Sequence, residues 1–190
     1  MSDKSTHKQH KAKHTARDAP MNDEQGDAFV AKLFESIEGG ATLKDIQGIP
    51  DTFMKGIYTY AHEFYNQGRL DDAEVFFRFL SIYDFYNADY MMGLAAVYQL
   101  KKRYEKALEL YSLAYAIPKK REDRTGPGEY RAMFYAGQCN IMLKKGENAK
   151  RCFEMVIENS TDEELKKKAT IYLETLNNQQ TEMEHLHPTE

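Results

Sequence analysis

Small residues recur in this chain at a spacing that constrains its architecture more than any other feature. Tyr60-Ala61 with Phe64 is followed 34 residues later by Leu94-Ala95 with Tyr98, and Ala73 with Phe77 by Ala107 with Tyr111. A third unit carries Ala136-Gly137, Asn140, Ala149 and Phe153 at the same internal offsets, displaced by 42 residues instead of 34. The surplus of eight falls in KKREDRTGPGE, whose Pro, Gly and charges read as an inserted loop. Apolar residues follow a helical period, the prolines fall at element boundaries, and no useful run alternates with period two. The chain is therefore read as all-α.

The spacing has a physical reason. Each unit is two antiparallel helices. Ala61, Ala95 and Gly137 on the first helix, and Ala73, Ala107 and Ala149 on the second, let the backbones approach closely. Phe64 and Tyr98, with Phe77, Tyr111 and Phe153, fill the space between pairs. One pair cannot bury its own face, so pairs must stack, and about three units are the minimum. This is the tetratricopeptide pattern without its Trp. It predicts three tandem repeats, at about 54–87, 88–121 and 130–160, in a right-handed α-solenoid, with turns at Asn66-Gln67-Gly68, Lys101-Lys102 and Lys145-Gly146. An N-terminal helix carries Phe29, Leu33, Phe34 and Ile37 and is stopped by Gly39-Gly40. Thr161-Asp162-Glu163-Glu164 opens a capping helix with Leu165, Ala169, Tyr172, Leu173 and Leu176 as its apolar stripe. The folded domain is expected at 27–178.

Outside it, residues 1–26 read as a disordered basic arm and 179–190 as a disordered tail. The first 20 residues hold five Lys/Arg against two Asp, and no large apolar residue beyond Met1. His7, His10 and His14 lie there without supporting carboxylates or thiolates, so a solvated arm is preferred to a metal site. With a net charge of −4, the chain as a whole is not a nucleic-acid binder by charge. Two cysteines, Cys139 and Cys152, fit a reducing cytosol, and no apolar run is long enough to span a membrane. Of the 23 Tyr and Phe residues, 20 lie between Phe53 and Phe153, so the repeats carry the aromatic surface.

The first helix of each unit should line the inner, concave surface. The positions one turn from the packing residues are Tyr58, His62 and Tyr65, then Met92, Ala96 and Gln99, then Phe134, Gln138 and Ile141. Such a groove is aromatic and apolar with a few amides. It suits an extended peptide with spaced hydrophobic anchors. Catalysis finds no support: there is no phosphate loop, no G-x-S-x-G and no H-E-x-x-H. No cofactor or metal is expected.

Three stretches carry a family resemblance: GGATLKDIQGIP, YAHEFYNQGRLDDAEVFFRFLSIYDFYNADYMMGLAAVYQLKK and YAGQCNIMLKKGENAKRCFEMVIE. From about Phe29 to Leu176 the chain resembles the class II chaperones of bacterial type III secretion. The resemblance implies a protein of the bacterial cytoplasm that binds hydrophobic translocators, holds them soluble and apart, and is not itself secreted. It implies that an extended translocator segment lies in the groove, in pockets matching Tyr58, His62, Tyr65, Met92 and Leu94. It further implies a homodimer through the N-terminal helix, with Phe29, Leu33, Phe34 and Ile37, and for some members action with an AraC-type transcription activator.

The competing reading is a general tetratricopeptide adaptor for another protein partner. Adaptors that grip a heat-shock carboxylate tail resemble one another in an inner clamp of Lys, Asn and Arg, where this chain has Tyr58, His62, Met92 and Ala96. A transcriptional coactivator is a third reading. Direct DNA binding by five arm charges would be weak and salt-sensitive.

Overall fold

The computed structural model describes residues 28, 30–32, 35, 36, 38–117 and 128–186, with side chains to Gln179. The expected basic arm, the helix residues Phe29, Leu33, Phe34 and Ile37, and 121–127 of the insertion expected at 121–128 lie outside the described residues, while Gly128 begins a helix. The segment up to Gly40 forms a unit of its own, helical where described, with the Ser36 hydroxyl donating to the Lys32 carbonyl at 2.8 Å.

The second unit, from Ala41, contains a short α1 (Leu43–Ile46) and then paired helices. These are α2 (Asp51–Asn66) with α3 (Leu70–Tyr83), α4 (Ala88–Leu100) with α5 (Tyr104–Ala116), and α6 (Gly128–Met142) with α7 (Gly146–Asn159). A long α8 (Glu163–Leu186) follows, carrying helix through 179–186 of the stretch expected as a tail. From α2 onward each helix packs on its neighbours in sequence, and first helices also touch across repeats, α2 on α4. No strand occurs among the described residues.

Local chemistry sets the element boundaries. Thr42 and Asp45 close a capping box at α1, the Asp45 carboxylate accepting from the Thr42 backbone at 2.9 Å and hydroxyl at 2.7 Å. The Asn87 side chain accepts from the Asp89 amide to cap α4, and the Asp162 carboxylate accepts from Glu164 and Leu165 to cap α8. The three turns inside the repeats share one geometry. Gly68, Lys102 and Lys144 adopt φ of 73°, 58° and 58°, and the next residue's amide reaches back to Phe64, Tyr98 and Asn140. Each is a Schellman-type stop that satisfies carbonyls the helix end would leave open.

The core follows the repeat. Ala61, Ala73, Ala95, Ala107 and Ala149 are fully buried, and Phe77, Tyr111 and Phe153 are at most 1% exposed between successive pairs. Phe64 and Tyr98 are half-buried instead. Each sits at the end of its pair under a cation, Arg69 over Phe64 at 4.3 Å and Arg103 over Tyr98 at 5.9 Å. The third repeat places Asn140 at that position, and Asn140 is buried, donating to the Cys152 sulfur at 3.7 Å.

Ion pairs tie the connections down. The Lys44 ammonium lies 2.9 Å from Asp51 and 3.3 Å from Asp84, joining α1 to the start of α2 and the end of α3. Lys101, in the turn of the second repeat, reaches Asp71 at 2.5 Å and Glu74 at 2.6 Å on α3. Burial pushes the Glu74 carboxyl up, but the Lys101 ammonium outweighs it and holds the group below the usual carboxylate range.

Candidate peptide-binding groove

The faces of α2, α4 and α6 turned away from the packing seam enclose a cavity of about 320 Å³. Tyr58, His62 and Tyr65 form one wall; Met92, Ala96 and Gln99 form the next; Arg131 and Tyr135 come from α6. Phe77 and Tyr111 reach through from the second helices to form the floor.

The rings at the α2 end are locked edge to face. Tyr58 and His62 lie 4.5 Å apart at 81°, and His62 meets Phe77 at 5.2 Å and 87°. Phe77 is accommodated because residue 93 is Gly: a Cβ there would overlap the Phe77 ring. Burial holds the His62 imidazole below its ordinary range, with Asp89 partly opposing, so the ring is neutral at neutral pH. Burial likewise pushes the Tyr58 and Tyr65 phenols up. The pocket thus presents uncharged rings, with Asp89 and Arg131 supplying the charge at its rim.

Six of the sequence-derived groove residues line this cavity together: Tyr58, His62, Tyr65, Met92, Ala96 and Gln99. Four are placed elsewhere. Leu94 is 6% exposed and lines a separate cavity of about 380 Å³ on the side of α3 and α5, beside Arg78, Ile82 and Leu113. It points there because it is two residues, about 200°, from Met92 on one helix. Phe134 is 5% exposed and packs on Phe153 and Tyr172 at 5.7 and 5.6 Å. Ile141 is half-buried against the same cluster. At the α6 turn it is Tyr135 that faces the cavity, stacked on Tyr111 at 5.5 Å. Gln138 sits beside the cavity, accepting from Gln99 at 3.1 Å.

The sequence pattern alone leaves out Asp89, Arg131, Gly93, Phe77, Tyr111 and Tyr135. For one of them a signal existed: Asp89 lies three residues before Met92, one helical turn further along the same face, while Arg131 shares its face with Tyr135, four residues on. Tyr135, next to Phe134, had none. Among the described residues there is no group of three His, Cys, Asp or Glu that could hold a metal ion, and no helix long and apolar enough to cross a membrane.

Comparison with known proteins agrees with the paired-helix fold. The tetratricopeptide-repeat family model matches residues 54–87 and 88–120. The chain is 51% identical over 150 residues to the chaperone protein SicA of Salmonella typhimurium, covering 79% of this chain and 86% of SicA. A type III secretion complex from Aeromonas hydrophila shares the fold, with a TM-score of 0.70 at 24% identity over 80% of this chain and 98% of that one. PcrH of Pseudomonas aeruginosa, solved with the chaperone binding region of PopD, gives a TM-score of 0.61 at 27% identity over 70% of this chain and 97% of PcrH. SicA is a chaperone, a class without catalytic turnover. With SicA at half identity over most of both chains, and with the paired helices in place, this chain belongs to the class II type III secretion chaperones.

Proposed function

We propose that this chaperone binds hydrophobic translocators of a type III secretion system by taking an extended segment of each into the groove, keeping them soluble and apart in the bacterial cytoplasm before secretion. The observation that carries this reading is the ring-lined cavity over Phe77, walled by Tyr58, His62, Tyr65 and Met92, with charge only from Asp89 and Arg131. The PcrH structure with the PopD region supports it. Residues 27–178 make up the chaperone domain, with Phe29, Leu33, Phe34 and Ile37 as the face for homodimerisation and an AraC-type activator as a further partner.

The mechanism is competition for apolar surface. A docked segment buries a few hundred Å² of apolar area, worth several kcal/mol gross at about 25 cal/mol per Å². Ordering the segment offsets much of that, which leaves moderate affinity and permits release.

Titration with the chaperone binding region of PopD tests the groove. Tyr58→Ala combined with Tyr65→Ala should weaken binding at least tenfold with far-UV helicity intact; equal affinity in a well-folded double variant refutes the assignment. Capture of the tagged chain under secretion-blocking conditions tests the partner class. Proteins with long hydrophobic segments support the chaperone reading, and a heat-shock protein alone supports the adaptor.

A further inference from the structure

A line of four side chains crosses the far end of the groove. The Tyr111 hydroxyl donates to Gln99 Oε1 at 2.8 Å. Gln99 Nε2 donates to Gln138 Oε1 at 3.1 Å, and Gln138 Nε2 donates to the Tyr172 hydroxyl at 3.0 Å. The four residues come from α5, α4, α6 and α8, so the line joins the second repeat to the third and to the last helix. The Tyr111 hydroxyl heads the line as a donor, and the Gln99 carbonyl is turned toward it.

The line leaves hydrogen-bonding capacity unused. A primary amide has two N–H donors and an oxygen with two lone pairs. Gln99 uses one lone pair on Tyr111 and one N–H on Gln138; Gln138 uses one lone pair on Gln99 and one N–H on Tyr172. Each amide retains one donor and one acceptor. Both glutamines are half-buried, and Gln99 lines the cavity beside Met92, Ala96 and Tyr135.

An extended segment presents the matching set. Its side chains alternate between faces, while its main-chain N–H and C=O groups lie along its edges. Main-chain groups taken from water into a groove must be hydrogen-bonded or they cost binding energy. We propose that Gln99 and Gln138 form an amide ladder that hydrogen-bonds the main chain of the bound segment where it passes from the second repeat to the third. The proposal rests on the groove reading above and deepens it: rings over Phe77 take an anchor side chain, and the ladder takes backbone. Backbone is common to every segment, so this part of recognition is blind to sequence and lets one groove hold different translocators.

The test uses the full-length chain and synthetic peptides of the PopD chaperone binding region. In each peptide a single backbone amide is replaced by an ester, which removes one N–H and weakens one carbonyl acceptor. Against the unaltered chaperone, one or two ester positions should weaken binding about tenfold. Against Gln99→Leu or Gln138→Leu that penalty should vanish, closing a double-mutant cycle. An unchanged penalty in folded variants, or no sensitive position at all, overturns the ladder and leaves these glutamines as ties between repeats. If the leucine variants fail to fold, side-chain amide NMR on the unaltered chain decides. Both glutamine NH₂ signals should shift on saturation with the peptide, and static signals overturn the proposal. Failure of the groove reading looks different: the parent peptide would not bind, or would bind the Tyr58→Ala/Tyr65→Ala variant equally well.

Discussion

The ring of Phe77 occupies the space that a Cβ on Gly93 would need. One missing methyl group therefore lets a second-helix aromatic of the first repeat form the floor of the groove. In the next junction Tyr111 stands in the corresponding place and stacks on Tyr135, whereas Phe77 meets His62 edge to face, so both rings floor the cavity but with different partners.

Gly93→Ala should accordingly cost about 1–3 kcal/mol, the range for overpacking a well-filled core. Gly137→Ala should cost less, because its Cβ would approach the Phe153 ring at 2.8 Å. Urea midpoints of the two variants measure the order. Gly93→Ala should also lose peptide affinity, since Phe77 must move into the groove.

The left-handed turn residues make an opposite prediction. Lys102 and Lys144, each at φ 58°, hold a conformation that disfavours a Cβ, whereas Gly68 holds it freely. Lys102→Gly and Lys144→Gly should each stabilise the chain by about 0.5 kcal/mol, and Gly68→Ala should destabilise it by about 1 kcal/mol. Thermal unfolding of the three variants checks the signs.

Asn140 is 3% exposed, and its Oδ1 has no hydrogen-bond partner. At this position the other repeats carry Phe64 and Tyr98. Asn140→Leu, with the same branched four-atom side chain, should raise stability by about 1 kcal/mol by removing a desolvated carbonyl oxygen. A lower urea midpoint would show that the bond to the Cys152 sulfur matters more.

Burial pushes the Cys139 thiol up to about 11 and raises that of Cys152. Neither sulfur is a thiolate near neutral pH, so native chain should resist iodoacetamide, and labelling should track global unfolding in urea. Labelling well before the unfolding transition would show local opening of α6 and α7.

His62 carries the pH dependence of the groove. Its folded-state pKa lies below the ordinary 6.5, chiefly through burial among Tyr58 and Phe77, with Asp89 of α4 opposing and Arg131 of α6 at the same rim. The folded chain therefore binds this proton less readily than the unfolded chain. The stability involved is fully present above 6.5 and is lost as pH falls through the folded value. Peptide affinity should fall when pH drops from about 7.5 to about 5, and the fall should be shallower in His62→Phe.

Much of this was legible in the sequence. The step of 34 between Ala61 and Ala95, and of 42 to Gly137, specified the helix pairs, because close backbone approach tolerates only small side chains at those points. The α2 and α4 walls of the groove followed, since residues three or four apart share a helix face and the packing seam marks which face is left. Tertiary structure decided the rest. Neighbours on a helix are about 100° apart, so whether Phe134 or Tyr135 faces the groove depends on how α6 is rotated against α5 and α7. The sequence does not encode that rotation locally; it is set by Phe153 and Tyr172, which claim Phe134, and by Tyr111, which claims Tyr135. Phe77 and the line from Tyr111 through Gln99 and Gln138 to Tyr172 were hidden for the same reason. Their partners lie on other helices, and only packing brings them together.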